Sequence, residues 1–104
     1  MYVVQVTIPL KHEEAWNRWH EQEHVPKMLA QPGFLQVRKF RCMKNSTAKE
    51  AEYYVLYELR NLIAYNRYVK SEEAERLRQD HLDAFGAKTK MTRMTWQETF
   101  SSAK

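Results

Sequence analysis

Residues 2–19 read YVVQVTIPLKHEEAWNRW, and the hydrophobic period changes inside that stretch. Tyr2, Val4, Val6 and Ile8 alternate with Val3, Gln5 and Thr7, the period of two that belongs to a strand. Pro9 closes the strand. From Lys11 onward Ala15, Trp16 and Trp19 fall at helical spacing, with His12, Glu13, Glu14, Asn17 and Arg18 on the polar side. A strand that passes straight into an amphipathic helix is the first half of a β-α-β unit, and the rest of the chain is read outward from it.

The first helix is predicted to run to about His24. Pro26 disfavours the α conformation at Val25 and suits the first turn of a new helix, so Lys27 to Ala30 is expected as a short second segment after a kink or break. Pro32-Gly33 signals a turn, and Phe34 to Met43 reads as the second strand. Asn45 to Glu50 is polar and turn-like. Tyr53, Val55, Tyr57 and Leu59 then alternate with Tyr54, Leu56 and Glu58 as a third strand, paired with the second in a hairpin. Asn61 caps a short helix carrying Leu62, Tyr65, Tyr68 and Val69. Ser71 with Glu72 and Glu73 starts another, in which Ala74, Leu77, His81, Leu82 and Phe85 share a face and Gly86 is the stop. Lys88 to Phe100 returns to alternation, Met94, Trp96 and Phe100 opposite Met91 and Thr95. The order β-α-β-β-α-β specifies an α+β, ferredoxin-like domain over residues 1–104: a four-stranded antiparallel sheet with its helices on one face.

That fold leaves the second sheet face open, and here the face is apolar. Val3, Tyr54 and Leu56 lie on it, joined by either Phe34 and Phe40 or Leu35 and Val37 from the second strand. The simplest cover is a second copy of the chain, so a homodimer with its sheets back to back is expected.

Composition closes several functional routes. The chain has only two glycines, Gly33 and Gly86, far apart, so neither a P-loop nor a dinucleotide-binding turn can be written. Its single cysteine, Cys42, and the lack of a basic-then-apolar leader argue against a secreted disulfide scaffold and for a cytoplasmic location. There is no apolar run long enough for a membrane span. Lys and Arg exceed Asp and Glu by 17 to 13, a net +4 that is spread along the chain without a like-charged block.

Trp16 and Trp19, His24-Val25-Pro26, Leu29, Gly33-Phe34, Tyr57, Tyr68, Leu77, His81 and Phe85 together resemble an uncharacterised bacterial family of the dimeric α/β-barrel superfamily. That superfamily also holds antibiotic-biosynthesis monooxygenases, EthD-like proteins and stress-responsive barrel proteins. The resemblance covers residues 2 to about 86 and loosens in the last strand. It implies the ferredoxin-like fold and the dimer. The superfamily ranges over cofactor-free oxygenases, isomerases, haem-handling proteins and non-enzymatic binders, so the resemblance leaves the chemistry open.

Three local features bear on chemistry. His20-Glu21-Gln22-Glu23-His24 satisfies H-E-x-x-H, the spacing that puts two zinc ligands on one helix face with a glutamate base between them. Pro26 follows too closely, the surrounding segment is polar, and a third ligand is missing unless His81 or a Glu supplies it, so no metal is expected. His24 also has a bland reading, an imidazole at a helix C-terminus that favours the dipole. With a helix of about 14 residues spanning about 20 Å, His24 is expected near Asn61 and Tyr65, and His81 near His12 and Trp16, the two histidines apart.

The second feature is aromatic content. Six tyrosines and three tryptophans can pack a core or line an apolar cavity with a few convergent polar groups. Arg38 and Arg41 could meet an anionic ligand. The third is Tyr54-Val55-Leu56-Tyr57, which fits the end of the base-stacking motif of RNA-recognition modules, while Glu50-Ala51-Glu52-Tyr53 before it puts acids where a basic residue and a glycine belong. Nucleic acid is therefore not expected.

The reading is a protein for small aromatic or polyketide-like molecules without cofactor. It is a cofactor-free enzyme, monooxygenase- or isomerase-like, or a binder. His24 and Tyr65 are its candidate catalytic groups, and Trp16, Trp19, Tyr57 and His81 its ligand-binding ones. The alternative is a non-catalytic homodimeric binding or assembly domain in which the same residues only pack.

Overall fold

The computed structural model describes residues 1–43 and 49–104. Its elements are β1 (Tyr2–Pro9), α1 (Leu10–Trp19), a π-helical turn (His20–His24), α2 (Val25–Leu29), β2 (Phe34–Arg41), β3 (Glu50–Leu59), α3 (Leu62–Val69), α4 (Glu72–Phe85), a 3-10 turn (Gly86–Lys88) and β4 (Lys90–Thr95). The strands make one antiparallel sheet in the order β2-β3-β1-β4, the ferredoxin-like α+β arrangement that the sequence predicts. The turn expected at Asn45–Glu50 lies mostly outside the described residues.

Strand alternation sets the core. Tyr2, Val4, Val6 and Ile8 are buried and register against Tyr57, Val55, Tyr53 and Ala51 of β3, so both central strands give one face to the helices. Trp16, Met28, Tyr68, Ala74 and Leu77 fill that side. The caps are those read from sequence: Asn61 accepts from the Ala64 N–H and Ser71 from the Ala74 N–H, each satisfying a donor that the first turn leaves free.

Four expectations are corrected. First, the helix does not break before Pro26; residues 10–29 form one helical run, about 30 Å long at 1.5 Å per residue. Val25 donates to the carbonyl of His20, five residues back, and this widened turn precedes a proline that has no N–H and would crowd the carbonyl four residues behind it. Second, the alternatives for β2 are both replaced by a bulge. The register shifts between Phe34 and Gln36, so Phe34 and Val37 both join the core, whereas Phe40, opposite Tyr54, lies on the open face.

Third, β4 stops at Thr95 instead of Phe100. Tyr2, the first residue of β1, pairs with Thr95, and beyond it only the Met1 backbone remains to bond Trp96. Fourth, Gly86 has an ordinary right-handed conformation, φ −54°, and the helix runs down through a 3-10 turn with no left-handed stop.

The open face carries Val3, Tyr54, Leu56, Phe40 and Met94 by register. Trp96 lies beside Tyr54, with ring centroids 6.4 Å apart. Tyr57 is turned to the helices and buried, so the aromatic pair of an RNA-recognition motif is not presented on this face. No helix among the described residues is long and apolar enough to cross a membrane.

Candidate functional site

Because the first helix is long and unbroken, His24 lies in its middle stretch and meets α4 well before that helix ends. The ring centroids of His24 and His81 are 6.1 Å apart, and His20 is 5.5 Å from His24. The expectation that His24 and His81 lie apart is thus overturned, because it placed His24 at a helix terminus. His20, expected on a polar segment, is buried.

Each tryptophan supports a histidine. Trp16 stacks on His20 with centroids 4.6 Å apart, and Trp19 stacks on His24 at 5.1 Å while standing edge-on to His81 at 5.4 Å. Trp16 also donates its indole N–H to His81 Nε2 at 3.2 Å. This contact agrees with the predicted nearness of His81 to Trp16. On the sheet side, Lys39 Nζ lies 3.4 Å from His20 Nδ1, donates to Asn17 Oδ1 and pairs with Glu21 at 2.5 Å.

The three histidines line a small cavity between helices and sheet, about 30 Å³, together with Tyr2, Tyr57, Tyr68, Met28, Arg78 and Arg93. Its interior is uncharged at neutral pH. Burial, reinforced by the Lys39 charge, pushes His20 down to about 2; burial and the neighbouring His81 push His24 down to about 4; burial and then Arg93 push His81 down to about 4. Burial raises Tyr57 beyond the usual tyrosine range and Tyr68 to about 12. The cations stand at the outer wall. Arg93 lies on the helix-facing side of β4, sharing the phase of Met91 and Thr95; burial raises the Tyr2 hydroxyl above its ordinary range and the Arg93 charge opposes that rise.

Of the predicted site residues, His24, His81, Trp16 and Tyr57 line this cavity, and Trp19 backs it through His24. Tyr65 does not join His24. It packs on Tyr2 at 5.7 Å and lines a separate hollow of about 560 Å³ with Leu59, Leu62 and Trp96. Arg38 and Arg41 are also elsewhere: Arg41 is paired with Glu13 at 2.7 Å and Arg38 lies over Phe40. Arg78 and Arg93 take the place that sequence reasoning offered to them. The alternation Met91-Arg93-Thr95 was the available signal for Arg93, and Leu77, one residue away, obscures Arg78 on the helix.

The H-E-x-x-H segment falls on the π turn, where Glu21 is turned outward to Lys39. Among the described residues no set of three or more His, Cys, Asp or Glu side chains is arranged to hold a metal ion.

Solved structures share the fold at low identity. An EthD family protein from Bacillus halodurans superposes with a TM-score of 0.63 at 13% identity, covering 93% of this chain and 100% of that one. HapK from Hahella chejuensis gives 0.61 at 12%, covering 100% of both chains. A variant of SnoaB, a cofactor-independent oxygenase from Streptomyces nogalater, gives 0.54 at 16%, covering 97% and 95%. No curated protein matches the sequence. A likeness at such identities extends to the βαββαβ frame, whereas the sequence itself carries a closer kinship: with residues 1–99 inside the match, the chain belongs to DUF4286, a domain of unknown function.

Proposed function

We propose that the protein binds a small aromatic or polyketide-like molecule at the His20-His24-His81 cavity and acts on it without a cofactor. The observation that carries this reading is the convergence of two buried histidines, His20 and His81, and the partly buried His24, all uncharged, on one cavity with two guanidinium groups in its wall. A fold built for packing alone gains nothing from burying His20 and His81 and half-burying His24 with two enclosed ring nitrogens, His24 Nδ1 and His81 Nδ1, left unpartnered. His24 is uncharged at neutral pH and so has a lone pair to accept a proton; the burial that holds its pKa at about 4 weakens it as a base, and the ligand anion formed beside the imidazolium is what offsets the cost of charging it. Removal of a proton by His24 from a carbon or hydroxyl of the ligand leaves an enolate or phenolate beside Arg78 and Arg93, a step shared by cofactor-free isomerisation and oxygenation. The cofactor-independent oxygenase SnoaB, on the same frame, is in keeping with this chemistry.

His24→Ala is the direct test. The expected result is turnover of the bound compound reduced at least a hundredfold, with a far smaller change in its affinity. A lowered melting temperature with turnover intact would assign His24 to packing.

The working unit in this reading is a homodimer closed through Val3, Tyr54, Leu56, Phe40 and Met94. A partly exposed apolar sheet face of this kind supports it, Phe40 being 46% exposed in the single chain. Light scattering at micromolar concentration is expected to give twice the 12.6 kDa chain mass, and Leu56→Glu to halve it. A wild-type monomer would remove the dimer.

A further inference from the structure

We propose, on the reading of the histidine cavity as a ligand site, that Trp16 fixes the tautomer of His81 so that its Nδ1 N–H is the buried donor that recognises the ligand, and that the ligand is an aromatic molecule presenting an ionised hydroxyl from the cleft between α4 and β4. An indole nitrogen can only donate. The Trp16 Nε1–H therefore holds His81 Nε2 as an acceptor at 3.2 Å, and an uncharged imidazole with a lone pair on Nε2 carries its hydrogen on Nδ1. His81 is 97% buried on the basis of its 3% exposure, and Nδ1 has no partner. A buried N–H without an acceptor is costly to keep, and its counterpart is an oxygen brought in from outside the chain.

The way in is continuous with the cavity. Arg78, His81, Met91 and Arg93 line both the inner space of about 30 Å³ and an outer cleft of about 250 Å³, where Leu82 adds an apolar wall and Glu75 an acidic rim. The inner space holds one or two waters or a single oxygen substituent, and the outer one is on the scale of one aromatic ring. Arg78 and Arg93 stand where the two meet, so an oxygen passing between them is stabilised as an anion while its ring rests on Met91 and Leu82.

The test has two stages on the full chain. In a long-range ¹H–¹⁵N correlation spectrum of wild-type protein, His81 is expected to show a protonated Nδ1 and an unprotonated Nε2; a protonated Nε2 overturns the inference whatever any variant does. In binding titrations, 4-nitrophenol at a pH where it is ionised is expected to bind at least tenfold tighter than 4-nitroanisole. His81→Phe should abolish that difference, and His81→Asn, which can place an amide N–H near the position of Nδ1, should retain part of it. Equal binding of the two probes, or discrimination that survives His81→Phe, removes this inference and leaves the ligand site standing. Binding of neither removes both.

Discussion

Lowering the pH from 7.5 to 5 is expected to cost the protein several kcal/mol of stability and to drop its melting temperature by tens of degrees. His20, His24 and His81 have folded-state pKa values pushed by burial to about 2, about 4 and about 4, against about 6.5 in an unfolded chain. The native state therefore binds fewer protons than the unfolded state between those limits. Its stability is fully present above about pH 6.5 and is lost as the pH falls. Each histidine contributes a slope of up to about 1.4 kcal/mol per pH unit, so about 2 kcal/mol apiece is lost by pH 5, or about 6 for the three. A small domain has only about 5–15 kcal/mol to lose. Below about pH 4 the slope from His24 and His81 ends and that of His20 continues. Glu13, held below the usual carboxylate range by its hydrogen bond to Arg41, adds its own loss there. Thermal melts followed by circular dichroism from pH 7.5 to 4.5 check this, with a change of about 4–8 °C expected per kcal/mol. A melting temperature flat across that range would mean that the three histidines take up protons as readily in the folded protein as in the unfolded chain, so that burial does not hold their pKa values down.

The same histidines show where the sequence is legible and where it is not. Strand phase in β1 and β3 is readable because one face of each goes to the helices, so a single alternation fits Tyr2 to Ile8 apart from Val3, which is buried on the other face, and Tyr53 to Glu58. Asn61 and Ser71 are readable because capping is local. In β2 the run from Phe34 to Phe40 is apolar in both phases near its start, so periodicity cannot locate the bulge between Phe34 and Gln36. Pro26 reads as a breaker because it removes a hydrogen bond, yet the π turn that accommodates it depends on the His20 carbonyl finding Val25 five residues on. That single local event decides the helix length, and the helix length decides whether His24 reaches His81. Of the cavity's residues, His24, His81, Trp16 and Tyr57 are named from the sequence and Arg78 and Arg93 are not; the meeting of His24 with His81 cannot be read there. The nearness of Trp16 to His81, 65 positions apart, follows from the topology and is expected, whereas that of His24 to His81 depends on the unbroken helix.

Gly33→Ala is expected to be the most damaging of the small substitutions, costing roughly 2–5 kcal/mol from strain and overpacking combined. Gly33 has φ +85°, in the left-handed region where a β-carbon is disfavoured. A β-carbon there would also overlap the Ala64 side chain in the first turn of α3. Neither side can yield cheaply. The Gly33 carbonyl accepts from the Arg60 N–H at 2.7 Å, joining the start of β2 to the end of β3, and the Ala64 N–H is held at 2.8 Å by the Asn61 cap. Relief by movement would therefore break a strand connection or a helix cap. Ala64→Gly in the same chain is expected to recover the steric part and leave the φ penalty, giving a coupling of about 1–3 kcal/mol in a double-mutant cycle. Gly86→Ala is the contrast. With φ −54° and its nearest neighbour the Leu82 side-chain tip at 3.2 Å, on a residue 58% exposed, it should change stability by no more than about 0.5 kcal/mol. Denaturant unfolding of five chains (wild type, Gly33→Ala, Ala64→Gly, the double variant and Gly86→Ala) measures all of these. A loss below about 1 kcal/mol for Gly33→Ala would show that the turn after Pro32 can shift without disturbing α3, and the close approach of Gly33 to Ala64 would then not be what sets the β2–α3 spacing.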